Sequence, residues 1–288
     1  MRTRKFLGGV ALAAATVLAL AGCAGNGTPA ATDGADGGST GGDATGESYR
    51  IGISQLVQHP ALDGATAGFQ RAFEEAGIDV EFDVQNANGE QSTAVTIAQT
   101  FASDSSIDLV LAVATPAAQA AATAITDRPV LFTAVTDPVA AELVESNEAP
   151  GGNITGTTDM QPVADQIALI KEIDPEASTV GIVYASGEVN SQIQVDLAQE
   201  AADELGLELK TATVTTVNDI PDALGSLGDI DALYVPTDNM LVSGIDALMQ
   251  FAETNQLLVV TGDSGPVEES GAVATLGLNY EELGYQTG

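Results

Sequence analysis

Several short stretches of this 288-residue chain carry side chains able to hold a small charged guest. Ala114-Thr-Pro116 and Thr136-Asp-Pro138 each follow an apolar run and set Thr or Asp directly before Pro. That is the pattern of an N-cap with Pro at the first helical position. The free N–H groups of a helix N-terminus attract anions. Thr115 and Thr136 are therefore candidate contacts for a carboxylate, and Pro116 and Asp137 beside them are candidate ligand contacts. Ser54 and Gln55, at the end of the run from Tyr49, belong with them. Acids mark two further stretches, Pro236-Thr-Asp-Asn239 and Gly262-Asp-Ser-Gly265, so Asp238, Asn239 and Asp263 are candidates for an ammonium group. Tyr184, at another strand end, could cover an apolar or aromatic portion. Thr115, Thr136, Asp238 and Asp263 are each also open to a plainer reading, as a helix cap alone. No Arg or Lys stands in any of these stretches, which disfavours a phosphate or dicarboxylate guest.

Such residues act together only if the fold brings them to one edge. Ile107–Val113 and Val130–Val135 are short continuous apolar runs, suited to strands buried on both faces of a parallel sheet. In open α/β sheets ligands bind at the carboxyl edge of the strands. Strand and helix alternate throughout, with helical spacing in Pro60–Ala76 and Glu90–Ser103 and strands at Tyr49–Ser54 and Ile78–Val84. The Gly-rich Pro150–Gly156 breaks the rhythm, after which a helix is expected over Pro162–Ile173 and the βα alternation resumes. Later expectations include helices over Asn218–Leu227 and Met240–Asn255 and a strand over Ala272–Leu278. Two βα series imply an α/β protein of two doubly wound parallel-sheet lobes joined by crossovers. The first lobe is expected over residues 49–157 plus 278–288 and the second over 158–277. A last helix is expected to begin near Glu281, and the chain reads as truncated at its C-terminus.

The N-terminus has a different character. Arg2, Arg4 and Lys5 precede an apolar run from Phe6 to Ala21 that ends in Leu20-Ala-Gly-Cys23. Residues 1–22 follow the plan of a secretory signal peptide, and Leu-Ala-Gly-Cys resembles the bacterial lipobox. The resemblance implies that Cys23, the one cysteine, carries the lipid (palmitate among its acyl chains) and anchors the protein outside the cytoplasm. Residues 23–48 lack large apolar side chains and read as a flexible tether. Beyond the signal, five basic residues face 41 acids, a charge of about −36. Nucleic-acid binding needs Lys and Arg contacts to phosphate and is excluded on this balance. The membrane is expected to be met through the lipid anchor only. The acids are dispersed without ligand spacing, so neither metal nor cofactor is expected.

Seven blocks carry a family resemblance: Gln55–Asp63, Ala87–Thr93, Ala114–Gln119, Phe132–Val139, Pro150–Gly156, Tyr234–Asn239 and Ala274–Gly277. Together they resemble the substrate-binding lipoproteins of ABC importers of the tryptophan/tyrosine type. The resemblance implies a type I periplasmic-binding-protein fold with three crossovers. It implies a small-molecule ligand, an aromatic amino acid foremost, and partnership with ABC permease and ATPase subunits, the binding protein itself being a monomer. A ligand-sensing lipoprotein for a sugar or nucleoside is the alternative. An enzyme is the remote rival: Gly262-Asp-Ser-Gly-Pro266 echoes a serine-protease motif, and Ser264, His59 and Asp63 or Asp137 could be written as a triad. Against it stand the βα alternation and the lack of a cysteine pair.

Overall fold

The computed structural model describes residues 48–288; Cys23 and the segments before and around it lie outside the described residues. The first lobe holds a parallel sheet of β1 (Tyr49–Gln55), β2 (Val80–Asn86), β3 (Leu109–Val113), β4 (Val130–Val135) and β5 (Ile154–Thr158). Their order is β2-β1-β3-β4-β5. Central β3 is buried along nearly its whole length, while edge strand β2 alternates acid and apolar residues and is half-exposed. Helices α1 (Pro60–Ala76), α2 (Gln91–Ser103) and α3 (Thr115–Ala124) link these strands. Pro60 starts α1 at a position where no N–H is needed, and Gly77, at φ 68°, ends it in the left-handed conformation.

The second lobe begins with α4 (Val163–Ile173), followed by β6 (Thr179–Ala185), α5 (Val189–Leu205) and β7 (Glu208–Val214). Next come α6 (Ile220–Ser226), β8 (Ala232–Val235), α7 (Asn239–Ser243) and α8 (Ile245–Asn255). Then β9 (Leu258–Thr261), α9 (Gly265–Glu269) and β10 (Ala274–Thr275) complete it. The strands are parallel in the order β10-β9-β8-β6-β7. One apolar cluster fills the first lobe, and two cover opposite faces of the second sheet.

Among the described residues the chain passes between the lobes twice, after β5 and after β10. The second passage leads into α10 (Tyr280–Thr287), which returns to the first lobe and packs on α1. Glycines set that approach. A Cβ on Gly68 would collide with the Glu281 carbonyl, and one on Gly284 with the Ala65 carbonyl. Arg71 of α1 pairs with Glu281 and Glu282, and Thr157 Oγ1 lies 2.7 Å from Thr287 Oγ1.

Local expectations are corrected at four places. No helix follows Thr136-Asp-Pro138; a turn over residues 138–143 takes its place, because the Asp137 carboxylate accepts from the N–H groups of Val139 and Ala140 and closes a local turn. The Gly-rich break is followed at once by a fifth strand of the first sheet, β5, whose Gly156 lets it lie against the Phe132 carbonyl of β4. The helix expected over Met240–Asn255 is two helices parted at Gly244, and the strand over Ala272–Leu278 pairs only at Ala274 and Thr275.

A closed cleft lined by buried acids

The carboxyl ends of both sheets face one another across a cleft. At its centre the lobes have closed to a cavity of about 10 Å³, room for a water-sized guest. Its wall takes His59, Leu62 and Thr136 from the first lobe and Asn190, Asp238 and Asp263 from the second. Asp159 and Tyr280 join from the two crossovers. Direct contacts span the cleft: Gln91 Nε2 donates to the Gly187 carbonyl at 2.8 Å, and His59 Nε2 lies 3.4 Å from Asn239 Oδ1. Burial lowers the pKa of His59 and keeps the imidazole neutral.

Each acid is placed by a chain turn. Asp238 caps α7, receiving Leu241 N–H at 2.8 Å and Ala185 N–H at 2.6 Å. Glu188 precedes α5 and accepts from Asn239 Nδ2 at 2.6 Å and Asn190 Nδ2 at 2.9 Å. Asp159 accepts from Tyr280 Oη at 2.8 Å and Thr136 Oγ1 at 3.2 Å, so one carboxyl ties both crossovers to the first sheet. Asp263 accepts from Gly265 N–H at 2.6 Å. Burial is the first cause that pushes all four upward, Glu188 to about 7 and Asp263 to about 6. Among the described residues no counter-cation pairs with them. Each of the five basic side chains among the described residues is engaged elsewhere: Arg50 with Asp83 and Asp104, Arg71 on α10, Arg128 on the carbonyls of Asp104 and Ile107, Lys171 and Lys210 on loop carbonyls.

The first lobe contributes hydroxyls. Ser54 Oγ and Thr115 Oγ1 are buried at the carboxyl ends of adjacent strands and have no hydrogen-bond partner. Thr115 is the first residue of α3 and not its cap; that position falls to Ala114 at φ 82°, ψ 153°, a conformation almost reserved for glycine. Ala134, on the cleft wall at the end of β4, is also left-handed, at φ 55°. Two strained alanines thus lie on the same edge of the sheet.

Of the residues singled out in the sequence, Thr136, Asp238, Asn239 and Asp263 meet at the central cavity. Pro116 lines a groove of the cleft mouth with Leu56, Glu188 and Met240. Ser54 and Thr115 lie buried beneath. The Gln55 amide is spent on the Val57 carbonyl, Asp63 and Thr66, which brace the loop before α1. Asp137 only closes its turn. Tyr184 packs against an apolar cluster of the second lobe and its hydroxyl donates to Gln192 Oε1 at 3.1 Å. Sequence reasoning passed over Asp159, Glu188, Asn190 and Tyr280; Glu188 alone left a signal, as an acid at a strand end. No triad hydrogen bond forms: His59 faces Asn239, Asp63 accepts from Gln55, and Asp137 closes a turn.

Residues 50–288 match the family described as ABC transporter substrate binding protein. A tyrosine-binding protein of Clostridioides difficile is 43% identical over 243 residues, 83% of this chain and 70% of the relative. An ABC domain from Streptococcus pneumonia in complex with L-Trp is 35% identical with a TM-score of 0.81, covering 84% of this chain and 82% of that one. The ligand-free, open structure of a substrate-binding protein with adhesive properties from Clostridium difficile is 45% identical, yet its TM-score is 0.61, over 83% and 82% of the two chains.

This chain therefore belongs to the ABC transporter substrate-binding protein family. It is a two-lobed α/β receptor of the type I periplasmic-binding-protein fold, a class that works outside the cytoplasm and presents small molecules to ABC permeases. The chain superposes better on the tryptophan complex than on the open structure, in spite of the higher identity to the latter. The narrow cavity and the cross-cleft contacts accord with that.

Proposed function

We propose that this protein captures an aromatic α-amino acid as its zwitterion and hands it to an ABC importer, without covalent chemistry. The observation that carries the reading is the polarity of the cleft. On the first-lobe side the unpartnered hydroxyls of Ser54, near the end of β1, and Thr115, at the start of α3, lie buried beneath the cleft, suited to a carboxylate; the other side offers buried acids without a cation, suited to an ammonium. The tyrosine-binding relative and the tryptophan complex lean the same way. Grooves beside Leu56, Val57 and Met240 at the mouth give an aromatic ring an apolar surface to leave along. Affinity shared between lobes makes the closed form dependent on both sets of contacts.

The direct test is a thermal-shift and calorimetric screen of amino acids, sugars and nucleosides. A ligand at a hundred times its Kd stabilises the fold by about 2.7 kcal/mol. Response to sugars or nucleosides alone would defeat the amino-acid reading and leave the transport role standing. Small-angle scattering should show the closed form enriched by tyrosine or tryptophan. Export and anchoring follow from the lipobox: Cys23→Ser should release the protein from membranes, and unchanged retention would count against a lipid at Cys23. The reading takes the working unit as a monomer, and it is supported by the cleft being complete within one chain.

A further inference from the structure

Glu188 and Asp238 lie side by side in the second-lobe wall, joined through Asn239, whose N–H and side-chain amide both reach Glu188. Two short backbone N–H contacts on Asp238 favour its anion, against the upward push of burial. Glu188 is bonded well on Oε2 only; its Oε1 has one long contact, 3.3 Å from Met240 N–H. Two adjacent carboxylates, buried and without a cation, do not both ionise readily, so the pair retains a proton near neutral pH, mainly on Glu188. Asn190 supplies an independent sign. Its Oδ1 is buried on the wall of the central cavity and accepts from nothing, although its Nδ2 donates to Glu188. An acceptor without a donor beside a carboxyl that lacks a cation fits a group with several N–H donors and a positive charge.

We propose that the ligand's ammonium group is held by Glu188 and Asn190, beside Asp238, and that filling this subsite expels the shared proton to solvent. The inference rests on the amino-acid reading of the cleft and gives it a defined amine position. The ammonium replaces the proton as the positive charge, so affinity rises with pH across the range in which Glu188 titrates. The other titratable groups around the subsite do not supply the effect. His59 reaches it through Asn239 and stays neutral; Asp63 stands behind His59. Glu90, at the start of α2, faces Glu188 across the mouth grooves, and Asp159 and Asp263 lie on other walls of the cavity.

Calorimetric titration with L-tyrosine and L-tryptophan at pH 7, in phosphate and in Tris, reads the proton directly. Binding should release about half a proton per ligand, as expected for a group titrating near that pH. Glu188→Gln keeps the shape and hydrogen bonds of the side chain; it should still bind, about tenfold to a hundredfold more weakly, with equal heats in both buffers. Binding by the unaltered protein without proton release overturns the subsite, as does release that persists in Glu188→Gln. Absence of heat with both amino acids overturns the amino-acid reading instead, and the subsite with it.

Discussion

Glu188 and Asp263 are raised to about 7 and about 6 by burial, with Asp238 adding to the first and Asp159, Glu268 and Glu269 to the second. The native state therefore keeps protons that the unfolded chain gives up. Their contribution to stability is complete below the ordinary carboxylate range and is lost as pH rises through about 6 and 7. For Glu188 alone that loss is on the order of 3 kcal/mol. Asp104, Asp127, Asp219 and Asp231 run the opposite way, lowered chiefly by hydrogen bonds, but they lie at the surface where such gains are small. The ligand-free protein should melt at a lower temperature at pH 8 than at pH 5.5, with a shallower fall in Glu188→Gln. An unchanged slope in that variant would remove Glu188 as the cause. A second residue-scale expectation concerns Ala114. Its φ of 82° costs about 1–3 kcal/mol in a residue with a Cβ. Ala114→Gly should stabilise the fold by about 1 kcal/mol in urea titration, after the entropy cost of glycine, while weakening ligand binding through a looser start of α3.

At the scale of elements, the anchoring of the second crossover depends on how closely α10 can approach α1. Gly284→Ala pushes a methyl into the Ala65 carbonyl and should cost about 1–3 kcal/mol. Gly64→Ala, whose added methyl would stand 3.5 Å from its nearest neighbour, should be neutral or stabilising by up to about 1 kcal/mol. Equal effects of the two in equilibrium unfolding would contradict the close-contact explanation. The same helix pair was legible only in part. The start of α10 near Glu281 could be read from Asn279 and the acids that follow, whereas its partner could not, since glycines at helical spacing look merely unfavourable until a second helix lies across them.

The whole molecule carries far more acid than base, and each described cation is already engaged in fixing a loop or helix end. The excess negative charge repels itself across the surface. Raising NaCl from about 0.1 M to about 1 M shortens the screening length from about 10 Å to about 3 Å. The melting temperature should therefore rise over that range, and rise less at pH 5 than at pH 8, because fewer carboxylates are ionised. A flat salt response at pH 8 would show that the charges are too dispersed to matter. Closure is a property of the same scale: it brings Asp159, Asp238 and Asp263 around one small cavity, which neither lobe could do by itself.

The sequence by itself determined the βα alternation, the two parallel sheets and the edge at which a ligand must enter. Those follow from continuous apolar runs such as Val110–Val113 and from Pro and Gly at their borders, and both signals act within a few residues of themselves. The family motifs were equally local. Only the tertiary structure decided which polar residues form the site. Thr136 precedes no helix, because Asp137 captures the next two N–H groups. Asp238 was open to reading as a cap or as a partner for a ligand, and it accepts from backbone donors of two elements. Asp159 and Glu188 looked like ordinary loop acids until Tyr280, 121 residues away, and Asn239, 51 residues away, enclosed them. A carboxyl's charge state depends on its burial and on neighbours that chain folding brings from far along the sequence, and no spacing rule carries that information.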